Sequence, residues 1–408
     1  MIAHLQHAPG TEPPPYRGST GYVLLLTVVA ALGGLLFGYD TAVIAGAIDY
    51  LTEHFQLSPE LKGWATSNIL LGCALGAAVA GPLADYLGRR WVLVLSAIFF
   101  AISAIGTAIP TTLTQFVLAR MLGGLAVGAA AIVSPLYIAE ISPAPIRGRL
   151  VALQQIAIIS GMVVVAIVNW VIALQGDHAW NVTTGWRWMF GSETLPAVLF
   201  LACLTLVPES PRWLIKMGRT AEALAILTRL AGPERANWEG ADIQRTVAEE
   251  TGRLSELLRP GYRRILVIGV ILAILQQITG INAIVYYTPS IFRSSGSTDI
   301  WALFWTIITQ AVNLTLTLVA IAVVDRLGRK PLLLLTSTAM GVSLVLLGWA
   351  FHQQLPNTWV VVFIQLYMGP LRWAWDRWCG LCWRKCFPPE HAVWPWGLPR
   401  WPCGWRTF

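Results

Sequence analysis

Ten apolar stretches recur along the chain, at 22–48, 63–84, 91–109, 113–136, 150–174, 190–207, 265–291, 300–323, 331–352 and 358–370. A bilayer core takes about 20 apolar residues per helix, so most of these runs have the length of a spanning segment. Charged residues make up only 12% of the 408 residues and mean hydropathy is +0.61. That is too little charge to solvate the outside of a water-soluble domain of this size. Lipid is therefore the expected solvent, and an all-α membrane bundle of about ten spans is the expected fold.

The runs fall into two groups. Residues 208–264 are polar and helix-favouring, with ten basic residues between Arg212 and Arg264. They divide the chain into a leader (1–21), a six-helix N-terminal half (22–207), linker helices (208–264), a partial C-terminal half (265–370) and a tail (371–408). Connections after even-numbered spans carry 17 basic residues, including Arg89, Arg90, Arg147 and Arg149. Those after odd-numbered spans carry three, Lys62, Arg187 and Arg293. The excess of cations on one side predicts that the even loops and the N-terminus are cytoplasmic. The leader lacks the apolar segment and cleavage site of a secretory signal.

An internal repeat relates the halves. The loop Asp85-Tyr-Leu-Gly88-Arg89-Arg90 after span 2 recurs 240 residues on as Asp325-Arg-Leu-Gly328-Arg329-Lys330 after span 8. A helix-ending carboxylate, a glycine that permits a tight turn and paired cations can pin neighbouring helix ends by ion pairs that break when two halves rock.

With this repeat, further motifs give the chain a resemblance to the sugar porters of the major facilitator superfamily over about 20–367. They are Phe37-Gly38-Tyr39-Asp40 in span 1, Pro135-Leu-Tyr137-Ile-Ala-Glu140 with Arg147-Gly148-Arg149, Pro208-Glu209-Ser210-Pro211-Arg212, and Gln276-Gln277-x-x-Gly280-Ile-Asn282 in span 7. Bacterial proton-coupled sugar symporters, the D-xylose type above all, are the most similar. The resemblance implies a fold of six plus six helices and import of a monosaccharide, pentose or hexose, with a proton. It implies a monomer in the inner membrane, without cofactor or nucleic-acid partner.

Charges inside spans are costly, and so mark function. Asp40 in span 1 and Arg120 in span 4 are cheaper as a pair, and Gly124 and Gly128 beyond Arg120 leave a face that another helix can approach closely. Desolvation favours the neutral carboxyl and the guanidinium favours the charged one, so a conformation that separates them favours protonation. A static packing pair is the alternative. The resemblance favours proton coupling, because proton symporters of the family have Asp at the position of Asp40.

A sugar needs groups that donate and accept hydrogen bonds, and amides do both. Gln155, Gln276, Gln277, Asn282 and Asn313 lie at membrane depth, where facing lipid would be costly, and Thr279-Gly280 offers a place for span 7 to unwind beside a cavity. By resemblance these five amides are the sugar ligands, with Phe37, Tyr286 and Tyr287 as apolar walls or gate. Glu140, Arg147, Arg149, Glu193, Glu209 and Arg212 are expected near cytoplasmic ends of spans. With Asp85, Arg89, Arg90, Asp325 and Arg329 they are expected to form a gate that locks that side. Asn181-Val-Thr183 fits a glycosylation acceptor by chance alone.

No nucleophile motif occurs, and the six histidines, at 4, 7, 54, 178, 352 and 391, form no ligand cluster. An enzyme is therefore not expected, nor a bound metal. After Tyr367 the text changes, with 8 of the 20 Trp and 4 of the 6 Cys in residues 371–408. A zinc knot of Cys379, Cys382 and Cys386 with His391 or Cys403 competes there with a shifted reading frame. A permissible codon choice for Arg372 to Pro388 reads, one base off, as family text with Gly-Pro-x-x-Trp and Glu-x-Phe-Pro in order. The expectation is a sugar porter lacking spans 11 and 12, with a sugar receptor or an inert product as rivals to a transporter.

Overall fold

The computed structural model describes residues 14–249, 260–327, 329–355 and 358–368. Residues 1–13 and the tail from 369 onward lie outside this description, and with them the shifted frame and the zinc knot. The side chains of Gln276, Asp325 and Arg329 lie outside it as well.

Five long helices open the chain: α1 (Thr20–Phe55), α2 (Pro59–Leu87), α3 (Arg89–Ala108), α4 (Leu113–Ile141) and α5 (Arg147–Ala173). Their starts follow from local chemistry, since Ser19, Ser58 and Thr112 accept hydrogen bonds from the backbone N–H of Tyr22, Leu61 and Gln115 and satisfy donors that a helix leaves orphaned. Gly88 sits between α2 and α3 with φ +99°, and a Cβ there would lie 2.3 Å from Glu209 Oε2. The tight turn expected of that loop is thus present, and only glycine fits it.

The sixth span differs from expectation. It is not one helix from 190 but a broken series, α6 (His178–Trp180), a π-helical turn (Asn181–Gly185), α7 (Trp186–Gly191) and α8 (Thr194–Leu204). The added turns push Ser192 and Glu193 to the middle of the span. Asn181 is buried and donates to the Ala173 carbonyl, so it is no glycosylation acceptor.

Three linker helices follow, α9 (Pro211–Lys216), α10 (Thr220–Ala231) and α11 (Pro233–Glu249). The leader is tied to them: Arg17 N–H donates to Ala231, Arg235 donates to Pro14, and the Tyr16 hydroxyl donates to Glu239 at 2.6 Å. Span 7 is split into α12 (Pro260–Ile278) and α13 (Ile281–Ser294), with Gly280 at φ +80° between them, as its sequence predicts. Then come α14 (Asp299–Leu327), α15 (Arg329–His352) and α16 (Thr358–Met368). All ten expected spans are thus helical, and six helices among the described residues are single rods long and apolar enough to cross a membrane.

Helices α2 and α4 pack backbone to backbone. A Cβ on Gly124 would lie 2.3 Å from the Ile69 carbonyl and one on Gly128 2.2 Å from that of Cys73. The small-residue face beyond Arg120 is therefore where α2 docks, which holds Arg120 in place against α1.

Candidate functional site

Asp40 and Arg120 meet in the interior, each only 1% exposed. The guanidinium NH1 donates both to the Asp40 carboxylate and, at 3.0 Å, to the Asp40 carbonyl. The Arg120 guanidinium also lies over the Phe190 ring, 5.5 Å from its centroid. Gly123 makes room for the pair, since a Cβ there would be 2.8 Å from Asp40 Oδ2. That oxygen and Arg120 Nε and NH2 have no hydrogen-bond partner among the described residues. A buried ion pair with bonding capacity to spare is costly to keep, which suits a pair that must come apart.

Glu193 belongs here and not at a cytoplasmic helix end. It is 1% exposed, its Oε1 has no hydrogen-bond partner among the described residues, and it interacts electrostatically with Asp40 and Arg120. Its neighbour Ser192 is hydrogen-bonded through its hydroxyl to Tyr39, beside Asp40, at 2.7 Å. The expectation was at odds with the expected topology, in which span 6 starts at the outer face, and the helical turns that lead into it from His178 onward set Glu193 deeper still, in mid-span.

The described amides are paired by hydrogen bonds in two places, at the break in span 7 and on α14. Asn282 Nδ2 donates to Gln277 Oε1 at 3.1 Å across the break, with Gln277 exposed and Asn282 half-buried. Asn313, buried on α14, donates to Gln310 Oε1 at 3.3 Å. Gln155 on α5 is half-buried. Phe37 packs at the edge of the core and Tyr286 is buried within it. The Tyr287 hydroxyl donates to Thr66 on α2 at 3.3 Å, so this ring joins the two halves. Two further amides lie close to α14: Gln310 is the partner of Asn313, and Gln365 donates to the Thr309 hydroxyl at 3.1 Å, while its own side-chain oxygen is buried without a partner among the described residues. Neither belongs to a motif, and only membrane depth marks them in the sequence.

The basic loop of the N-terminal half forms a compact network. Arg89 donates to Asp85 at 3.0 Å and to both Glu140 oxygens at 3.1 Å. Glu209 accepts from the backbone N–H of Arg89 and Arg90, and burial pushes its carboxyl above the ordinary range. Lys216 reaches Asp85 at 3.1 Å, Arg90 donates to the Leu204 carbonyl, and Arg147 to that of Ser142. Arg212 is buried and Arg149 exposed. These bonds join helices of the N-terminal half to one another and to the linker. Contact with Asp325 and Arg329 lies outside the described residues.

At the opposite face, outer in the expected orientation, the halves are bound directly. Asp49 on α1 takes Lys62 at 2.7 Å, Ser290 at 2.7 and 2.9 Å, and Arg293 at 2.6 Å. Arg293 also pairs with Asp299 at 2.9 Å. The His178 ring lies between Asp299 and Glu53, at 2.8 and 2.9 Å, and hydrogen bonds to Glu53 and then Asp299 raise its pKa above the ordinary histidine value. Beneath this clasp a small cavity is lined by Ala42, Gly46, Asn169, Thr306 and Gln310.

A family model described as "Sugar (and other) transporter" matches residues 26–390. The chain belongs to the sugar transporter family. The match runs on past Tyr367, where the sequence motifs give out. This sugar transporter is 46% identical over 354 residues to the glucose transport protein of Synechocystis, covering 84% of this chain and 75% of that one. It is 39% identical over 397 residues to the D-xylose-proton symporter of Escherichia coli K12, covering 91% and 80%. The partially occluded inward-open form of the E. coli xylose transporter superposes with TM-score 0.81 at 39% identity, over 90% of this chain and 88% of that chain. The expected fold, a major facilitator sugar porter, is thereby established.

Proposed function

We propose that this chain imports a monosaccharide, a pentose or a hexose, together with a proton by alternating access, from the cell membrane and with its N-terminus in the cytoplasm. The observation that carries the reading is the buried Asp40–Arg120 pair, with Glu193 beside it and unspent bonding capacity on all three. Asp40 stays charged while Arg120 holds it, and takes a proton when the helices part. Glu193 is a second carboxyl through which that proton passes. The names of the relatives, glucose and D-xylose transporters, support a neutral sugar as cargo.

Gln155, Gln276, Gln277, Asn282 and Asn313 hold the sugar hydroxyls, joined by Gln310 and Gln365, while Phe37 and Tyr286 face its C–H surfaces. The clasp at Asp49 keeps the outer side shut in the state described, and the Arg89 network holds the N-terminal half rigid as it rocks.

Asp40→Asn tests the assignment, because the amide fills the same space and carries no proton. In proteoliposomes with an inward proton gradient, the variant is expected to bind D-xylose or D-glucose yet lose uphill accumulation. Uphill uptake by Asp40→Asn refutes the proton role.

A further inference from the structure

Span 7 is broken between its two groups of sugar-facing amides. Gln277 lies before the break and Asn282 after it, so whether they converge on one sugar depends on the angle at Thr279-Gly280. A helix that ends at Ile278 leaves its last carbonyls outside the regular ladder, and an αL glycine sets no firm angle on its own. The Gly280 N–H returns to the Gln277 carbonyl at 3.2 Å, which fixes only the near side.

The far support comes from span 10. Tyr367, near the end of α16, is completely buried, and its hydroxyl donates to the Thr279 carbonyl at 2.7 Å. It belongs to the same buried core cluster as Ile364 and as Tyr286 and Val285 of α13, so it lies in packed surroundings and not at a free edge. Two residues earlier, Gln365 binds Thr309 on α14, one helical turn from Asn313. The last turn of α16 therefore touches both amide-bearing elements at once. A phenylalanine would pack as well as tyrosine at a site that needed only bulk. A buried hydroxyl aimed at a carbonyl of the break itself is a more specific feature.

We propose that Tyr367 is a positioning residue for the sugar site: through the Thr279 carbonyl it fixes the angle of the span 7 break, and so brings Gln277 and Asn282 onto the same substrate. It touches no sugar itself. This inference rests on the sugar reading above.

The test uses the full chain in detergent, with D-xylose, L-arabinose, D-glucose and D-galactose as probes in calorimetry. Tyr367→Phe is expected to fold and melt as the parent does, to weaken the best-bound sugar about three- to ten-fold, as loss of one buried hydrogen bond does, and to narrow the affinity ratio between that sugar and its nearest competitor. Gly280→Ala should weaken binding too. The double variant should lose less than the two effects multiplied, because both act through one break. Unchanged affinity and selectivity in Tyr367→Phe, or full multiplicativity of the pair, overturns the positioning role while the sugar reading stands. If the parent chain binds none of the four sugars, the sugar reading falls and this inference with it.

Discussion

Asp49→Asn isolates the outer clasp. When the halves part on this side, Lys62 stays with Asp49 because α1 and α2 belong to the same half, and Arg293 stays with Asp299 because α13 and α14 belong to the other. Of the bonds made by Asp49, opening breaks the Arg293–Asp49 ion pair at 2.6 Å and the Ser290–Asp49 bonds at 2.7 and 2.9 Å, while the His178–Asp299 contact is broken separately. A hydrogen bond to a charged group contributes about 1.5–3 kcal/mol and a neutral one about 1. The Asp49 and Arg293 side chains are 19% and 18% exposed, which leaves most of that strength unscreened. Asparagine keeps one acceptor and the bond to Ser290, so the net loss to the closed state is about 2 kcal/mol. That shifts the open-to-closed ratio about thirty-fold. The readout is a cysteine at Thr306, only 5% exposed beneath the clasp, alkylated on intact cells by a membrane-impermeant maleimide. Asp49→Asn should speed labelling in that proportion, and Lys62→Ala should speed it much less. Equal rates in Asp49→Asn and its parent would show that the clasp does not hold the outer side.

Gln277→Ala should weaken sugar binding by about 1–3 kcal/mol, through a substrate hydroxyl left unpaired and through loss of the Asn282 contact; calorimetry decides, and an unchanged dissociation constant makes Gln277 a packing residue. The clasp should also respond to pH. The His178 pKa is raised by hydrogen bonds to Glu53, on its own half, and to Asp299, across the clasp, with the Tyr50 ring beside it, so the bond to Asp299 favours closure while His178 is protonated, and that contribution is lost as pH rises through the raised value. Thr306→Cys labelling should accelerate as external pH increases across that window, and His178→Ala should flatten the dependence.

The expected helices follow from a pattern that lipid enforces, because a spanning segment must be apolar along its whole length and every backbone group must be satisfied within it. The same cost made Asp40 and Arg120 conspicuous, and their partnership could be inferred from two charges alone at membrane depth. Gly280 betrayed the break in span 7 for a related reason, as a residue that weakens a helix between the amides Gln277 and Asn282. Glu193 stood in a different position. A carboxylate four residues into an apolar run looks like a helix end unless the run is known to start earlier, and the π turn at Asn181–Gly185 that lengthens span 6 has no sequence signature of its own.

The outer clasp was illegible for another reason. Asp49 and Glu53 sit at the end of α1, Lys62 in α2, His178 in a three-residue helix, and Arg293 and Asp299 on either side of the α13–α14 turn. No spacing links them, and each alone is an ordinary loop charge. What gives them meaning is that two of the three outer cations, Lys62 and Arg293, converge on one carboxylate, while the third, Arg187, is spent on the carbonyls of Ala108 and Pro110. The scarcity of positive charge at this face is what predicts that it is the outer one. It also means that the few cations left there are free of competitors, so a single aspartate can collect two of them and bind α13 to α1. The halves are thus joined by charge at the face expected to be outer, while the described charges at the other face join helices of the N-terminal half to one another and to the linker, and that asymmetry is what the proposed outward-closed carrier requires.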